Sequence, residues 1–224
     1  MKNAQAHTPA ISFDWCHDAS AEDTLCKLYL DNVSADYISH SELQGERADA
    51  PGNWRADLPE VIRGEIRAAL SHDWAHGDST LLAVATAGDA IVGMALVSID
   101  TRQRASKSFA ALDDLVLLPS VRGSGIGSQL VEWVADELRS HGIARLFLEC
   151  GAHNLTAQTF FRGRGFKQVS VVMLRELDAG TASAAWMTRM ATVADARRPR
   201  QGQARGSLER KYLRSTKFIQ TDSC

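Results

Sequence analysis

Residues 122–128 read Arg-Gly-Ser-Gly-Ile-Gly-Ser, three glycines in five positions, between an apolar stretch that ends at Pro119 and a run with helical spacing. No other part of the chain restricts the backbone so strongly. Glycine removes the Cβ where the chain must take a positive φ or let another group come close. A glycine-rich turn leading from a strand into a helix also aims successive main-chain N–H groups at one point, at the positive end of the helix dipole. The stretch therefore predicts a strand–loop–helix unit that cradles an anion. A ligand-free turn is the plain alternative if the loop stands alone.

Three phosphate-binding schemes use such a loop. A P-loop needs lysine and a hydroxyl after its last glycine, and here Ser128 and Gln129 follow Gly127. A dinucleotide loop would take Gly123 and Gly125 as its first two glycines and Glu149 as its ribose carboxylate. Its third glycine would fall at Ser128, and further βα units should follow. Only one short helix and one strand are predicted downstream. The third scheme, Arg122-x-x-Gly125-x-Gly127, fits a pyrophosphate, with no Cβ at Gly125 or Gly127 to stand between backbone and oxygen.

The flanking pattern predicts a mixed sheet with helices on its faces, in the order β-α-α-β-β-β-α-β-α-β. Strands are expected at 11–15, at 80–100 as two joined by a hairpin at Gly88-Asp89, at 108–119, 144–150 and 167–177. Helices are expected over 18–39, 58–74, 126–141 and 154–166, from apolar positions three and four apart. Residues 41–57, rich in charge and turn formers, are expected to be loop. Residues 180–196 have the composition of a helix. Beyond them a basic stretch interrupted by Pro199, Gly202 and Gly206 reads as a solvated tail.

Composition limits what such a fold can serve. The chain has 224 residues, enough for one domain with an appended segment or at most two small domains. A formal net charge of -2 gives no reason to expect nucleic acid or an anionic membrane as partner. The first residues lack a signal peptide's apolar core, and no apolar run reaches the length of a membrane span. Cys16, Cys26, Cys150 and Cys224 are scattered without CxxC spacing. They read as reduced thiols of a cytoplasmic protein, with no metal site expected.

The loop does not stand alone. Residues 154–166, Asn-Leu-Thr-Ala-Gln-Thr-Phe-Phe-Arg-Gly-Arg-Gly-Phe, begin 27 positions after Gly127. Asn154, Ala157, the aromatic Phe161 and the closing Gly165-Phe166 resemble the second signature of the Gcn5-related N-acetyltransferase (GNAT) superfamily. The strand, loop, helix, strand and signature all follow that family's order over 11–177. The resemblance implies an α/β fold of the GNAT acyl-CoA N-acyltransferase type, a central mixed sheet flanked by helices. It places that domain at 11–178 and leaves 179–224 as a C-terminal extension. It implies acetyl-CoA as co-substrate and a small-molecule or protein amine as acceptor, and it allows a homodimer.

Roles follow by position. The resemblance gives Leu115, Val116 and Leu117 the task of offering backbone groups to pantetheine. It gives Arg122, Gly123, Ser124, Gly125, Ile126, Gly127 and Ser128 the pyrophosphate. Asn154 contacts pantetheine or orders the site in the family; as an Asn before a helix it also reads as an N-cap. Direct attack of an amine on a thioester requires a base and a donor for the departing thiolate. Asp113 is the first candidate base and Glu149, at the end of the next strand, the second. Strand alternation sends Asp114 to the opposite face from Asp113. Many family members carry tyrosine where this chain has Phe161, which has no proton to donate. That departure keeps a second function open, an acyl-CoA-binding sensor or partner module without turnover. Glu42, Glu46, Asp49 and Asp57 offer negative charge to a cationic amine, or form an ordinary solvated loop.

Overall fold

The computed structural model describes residues 10–76, 79–100 and 108–177. In chain order the first elements are β1 (Ile11–Trp15), α1 (Glu22–Leu30), α2 (His40–Gln44), β2 (Ala48–Ala50), β3 (Asn53–Trp54) and α3 (Leu58–Leu70). Next come β4 (Thr80–Ala87), β5 (Ala90–Asp100), β6 (Phe109–Leu117), α4 (Ile126–Ser140), β7 (Arg145–Leu148) and α5 (Leu155–Arg162). The main sheet has the order β1-β4-β5-β6-β7. Its neighbours are antiparallel except β6 and β7, which run parallel across α4.

Alternation along β4 and β5 builds both faces of the sheet. Leu82, Val84, Met94 and Leu96 pack with Leu25 and Tyr29 of α1 and Ile62 and Ile66 of α3. Leu81, Ala83, Ala95 and Val97 pack on the other side with Leu130, Val134 and Leu138 of α4 and Phe161 of α5. Leu25, Tyr29, Ile62 and Ile66 are each fully buried, which stabilises the fold by about 1.5–3 kcal/mol per side chain. The hairpin falls where Gly88 takes φ +62°, as Gly-Asp predicts. Helix α4 stops at a Schellman turn, in which the N–H groups of Gly142 and Ile143 donate to Arg139 O and Leu138 O.

Three expectations are corrected. The long helix predicted over 18–39 is α1 alone, flanked by single 3₁₀ turns at Ala19–Ala21 and Ala35–Tyr37. Residues 41–57, expected to be loop, hold most of α2 and the β2–β3 ribbon. A capping box starts α2, with the Ser39 and Glu42 side chains bonded to each other's backbone ends. The chain divides into two units at 166/167. In the second, residues 167–177 carry no regular secondary structure although a strand was expected. Apolar alternation makes a segment strand-prone, but ladder pairing decides whether it becomes a strand. The helix expected over 180–196 and the tail lie outside the described residues.

Candidate active site

The pairing of β6 changes at one residue. Leu112 pairs with Val97 and Asp114 with Leu96, so Asp113 is the extra residue of a β-bulge. The bulge reverses the alternation: Ala110 and Leu112 pack on the α4 side, Val116 on the α1–α3 side. Asp114 lies on that same side, bonded to Arg47, which in turn bonds Tyr29 of α1 and Glu65 of α3. Asp113 accepts a bond from Ser98 Oγ, itself 3.0 Å from Thr80 Oγ1 on the face that Leu82 and Leu96 share. The expectation that Asp113 and Asp114 point to opposite faces is therefore overturned. Two residues of a bulge oppose a single residue of the partner strand and turn the same way.

Beyond the bulge, β6 and β7 separate. Their ladder covers only Phe109–Leu112 against Arg145–Leu148. Leu118 N–H donates to Val92 O of β5 at 2.9 Å. By alternation the main chain of Val116 also faces β5, while the groups of Leu115 and Leu117 face the fork. The Leu115 N–H donates to the Tyr37 hydroxyl at 3.3 Å, and Leu117 O accepts from Arg122 Nε at 3.1 Å.

The glycine loop closes the outer end of this fork. Gly123 and Gly125 take φ +77° and +92°, which L side chains seldom adopt, and Gly125 is the N-cap of α4. Ser124 Oγ bonds back to Val121 O. Helix α4 has no acidic residue in its first turn, so nothing of opposite sign competes for its N–H groups. A Cβ on Gly127 would stand 2.7 Å from Leu117 Cδ1, so a larger residue there would have to turn the Leu117 side chain aside. Buried Ile126 anchors the turn in the core. Ser128 accepts from Arg164 Nη2, whose guanidinium lies 3.9 Å from the Phe160 ring centre. Arg122 also reaches Asn32 Oδ1 at 3.1 Å, tying the loop to the turn that follows α1.

Asn154 caps α5, its Oδ1 accepting from Ala157 N–H at 3.1 Å. Phe161 packs in the core between Phe160 and Phe166, with ring centres 5.0 and 5.5 Å away.

On the α1–α3 side, polar groups crowd the inner end of the fork. Arg47 is buried and donates to both oxygens of fully buried Asp114 at 2.9 Å, to Glu65 at 3.0 Å and to Tyr29 Oη at 3.1 Å. The Tyr37 hydroxyl donates to Asp114 Oδ1 at 3.0 Å. Burial and then the Asp114 carboxylate push the Tyr37 phenol well above its ordinary value. Glu149, just past β7, accepts from Ser41 N–H at 3.2 Å and lies 3.3 Å from both Ser39 Oγ and His40 Nδ1. Its side chain is 45% exposed, so an arriving molecule can reach it. Asp113 and Glu149 thus bracket the point where the strands part.

Of the four acidic residues, Glu46, Asp49 and Asp57 are exposed as in a solvated loop, and Glu42 departs from that expectation. Glu42 is buried and spends its carboxylate on Ser39 N–H and Oγ, at 2.8 and 2.6 Å. Asp57 is bonded by Arg55 at 2.7 and 2.8 Å, and Asp49 lies 4.0 Å from the same guanidinium. Glu46 is exposed and has no such pair among the described residues. Sequence reasoning missed Tyr37, Arg47, Gly151 and Arg164. The Ser39-x-x-Glu42 box was the available signal for a helix in this region; the reach of Arg47 to a strand residue 67 positions away left none.

Comparison with known proteins agrees with this geometry. Residues 48–166 match the model of the acetyltransferase (GNAT) family. An IAA acetyltransferase of Azospirillum brasilense is 31% identical over 122 residues, covering 54% of this chain and 68% of the relative. An aminoalkylphosphonate N-acetyltransferase of Salmonella typhimurium is 31% identical over 78 residues, 35% of this chain and 51% of that one. Among solved structures, the aminoglycoside N-acetyltransferase AAC(6')-Iy in complex with CoA superimposes with a TM-score of 0.53 at 16% identity. That match covers 78% of this chain and 99% of the other. It shows a shared fold.

Proposed function

The chain belongs to the acetyltransferase (GNAT) family, and from that premise we propose that it transfers an acetyl group from acetyl-CoA to a primary amine by direct attack on the thioester. One observation carries the reading: the fork between β6 and β7 runs inward from the first turn of α4 past the backbone of Leu117 and Leu115. The residues suit the co-substrate. The N–H groups of 123–128, with Arg122 beside them, supply a pyrophosphate cradle. With Leu115 N–H on Tyr37 and Leu117 O on Arg122, the other fork-facing groups, Leu115 O and Leu117 N–H, suit the amides of an extended pantetheine, which would add to β6 as a strand does. Val116 supports the same strand from its β5 side, and Asn154 fixes the start of α5 on the far side as its cap. Phe161 lines that side from the core.

The acceptor then approaches from the α1–α3 side, where Asp113 and Glu149 both lie. A carboxylate there takes the proton the amine must lose, directly or through water. We assign Asp113 this role first and Glu149 second, and place the transferase domain at 11–178 with 179–224 as an extension.

The deciding experiment measures CoA thiol release from acetyl-CoA over a panel of primary amines. Turnover with at least one amine class is expected. A protein that binds acetyl-CoA and acetylates none of them would instead be the second reading, an acyl-CoA-binding module. Phe161, where a donor is absent, favours that reading.

A further inference from the structure

A thiolate leaving an acyl thioester is stabilised by a donor placed where its charge develops. At the α5 position where the family resemblance implies a donor there is none: Phe161 lacks a hydroxyl, and its ring is packed between Phe160 and Phe166, while Thr159 Oγ1 and Gln158 Nε2 donate to the carbonyls of Leu155 and Gly151. On the transferase reading, pantetheine passes Leu117 before Leu115, so the thioester comes to rest at the inner end of the fork. A hydroxyl already stands there. Tyr37 Oη accepts from Leu115 N–H at 3.3 Å and donates to Asp114 Oδ1 at 3.0 Å.

We propose that Tyr37 is the catalytic donor that meets the departing CoA sulfur, in place of any group on α5; the proposal rests on the transferase reading above. Its position is built in from three directions. The ring lies 6.4 Å from the rings of both Tyr29 and Trp54, centre to centre. The carbonyls of Asp36 and Ile38, on either side of it, press onto Gly151. A Cβ at Gly151 would stand 2.0 and 2.8 Å from those two oxygens. Finally, Arg47 holds Asp114, and Asp114 holds the hydroxyl. The raised pKa of the phenol keeps its proton in place, so it stays a donor across the working pH range.

The step balances without transfer of that proton. The amine nitrogen forms a bond to the carbonyl carbon, the C–S bond breaks, and its electron pair goes to sulfur. The Tyr37 O–H turns from Asp114 to that sulfur and keeps its hydrogen, while Asp114 retains both bonds from Arg47. The nitrogen loses its surplus proton to a fork carboxylate and so to solvent. The thiolate takes a proton from solvent as it departs.

Tyr37→Phe in the full chain tests this, because it deletes the hydroxyl and keeps the ring contacts. Expected is a fall in kcat of about 10²-fold, the scale of losing one preorganised donor. KM for acetyl-CoA and the calorimetric Kd for CoA should stay near wild type, while the Tm should fall by the few degrees that a lost buried hydrogen bond costs, with the chain still folded at the assay temperature. A kcat within about twofold of wild type overturns the proposal, as does a loss carried by KM or Kd with kcat retained. Gly151→Ala provides a second variant that keeps the hydroxyl and displaces the stretch bearing it. It should lower kcat more than CoA affinity, and an unchanged kcat would also overturn the proposal. If the wild-type chain binds CoA and acetylates no amine, the transferase reading falls and this inference with it.

Discussion

Arg47 and Asp114 are joined by two parallel bonds, Nη1 to Oδ1 and Nη2 to Oδ2, each 2.9 Å, across 67 positions of sequence. Both side chains are nearly sealed from water, at 5% and 0% exposure. The pair fastens the segment between α2 and β2 to the bulge of β6, and therefore ties the α1–α3 side of the fork to the sheet. Glu65 and Tyr29 satisfy the rest of the guanidinium.

Removing one member of that pair strands a buried charge. Arg47→Met should destabilise the fold by about 3–5 kcal/mol, the usual cost of leaving a buried partner uncompensated. Arg47→Met with Asp114→Leu should recover much of the loss, since an apolar pair of similar volume removes both desolvation costs. Urea denaturation of the two variants checks both expectations, and an additive double variant would show that the pair is not coupled.

Glu22 of α1 carries a pH signature. Arg67 and then Arg63, bonded to it at 2.8 Å, hold its carboxyl down to about 2 from an ordinary value of 4.5. A depressed carboxyl stabilises the folded state above its unfolded pKa, and that contribution is lost as pH falls through the folded value. Glu22→Gln should therefore be less stable than wild type at neutral pH. The gap should close between about pH 4.5 and pH 2. Denaturation midpoints across that range measure it, and a gap that persists unchanged to pH 2 would exclude the linkage.

The glycine loop should answer to ligand. Acetyl-CoA should raise the Tm of the wild-type chain, because a ligand selective for the folded state stabilises it by mass action. Gly125→Glu should abolish the shift, since it puts a carboxylate at the cradle and a side chain at φ +92°. A circular dichroism spectrum like that of wild type separates lost binding from lost fold. A full shift in this variant would remove the cradle assignment.

The two fork carboxylates differ in reach, and variants separate them. Asp113→Asn should cut turnover about 10²-fold, the scale of losing a general base, with partial recovery at higher pH where more amine is neutral. Affinity for CoA should stay near wild type. Full turnover in Asp113→Asn beside a deep loss in Glu149→Gln would transfer the role to Glu149.

The turn from β6 into α4 could be read from residues 122–128 because backbone demands are local. A positive φ at Gly123 and Gly125 and a helix beginning at Ile126 depend on neighbours in sequence. The same holds for the hairpin at Gly88 and for the amphipathic faces of α1, α3 and α4, where residues three and four apart must share one side. Asn154 was legible both as cap and as part of the signature.

Other features depended on distant partners. The bulge at Asp113 exists because β5 and β6 meet in a particular register, so no period-two reading of β6 alone could tell where Asp114 would point. Glu42 looked like a surface charge until Ser39 and Arg47 enclosed it. Gly127 and Gly151 look alike in sequence. Yet one makes room for the Leu117 side chain and the other for the carbonyls of Asp36 and Ile38. Tyr37 was absorbed into a predicted helix, and only the folding of its turn over Gly151 brings its hydroxyl to Leu115. Sequence by itself thus determined the strands of the main sheet, the faces of α1, α3 and α4 and the glycine turn into α4, which rest on backbone conformation and short-range periodicity. Tertiary structure decided the polar network on the α1–α3 side of the fork, since buried charges and hydroxyls take their meaning from groups that only packing brings within 3 Å or so.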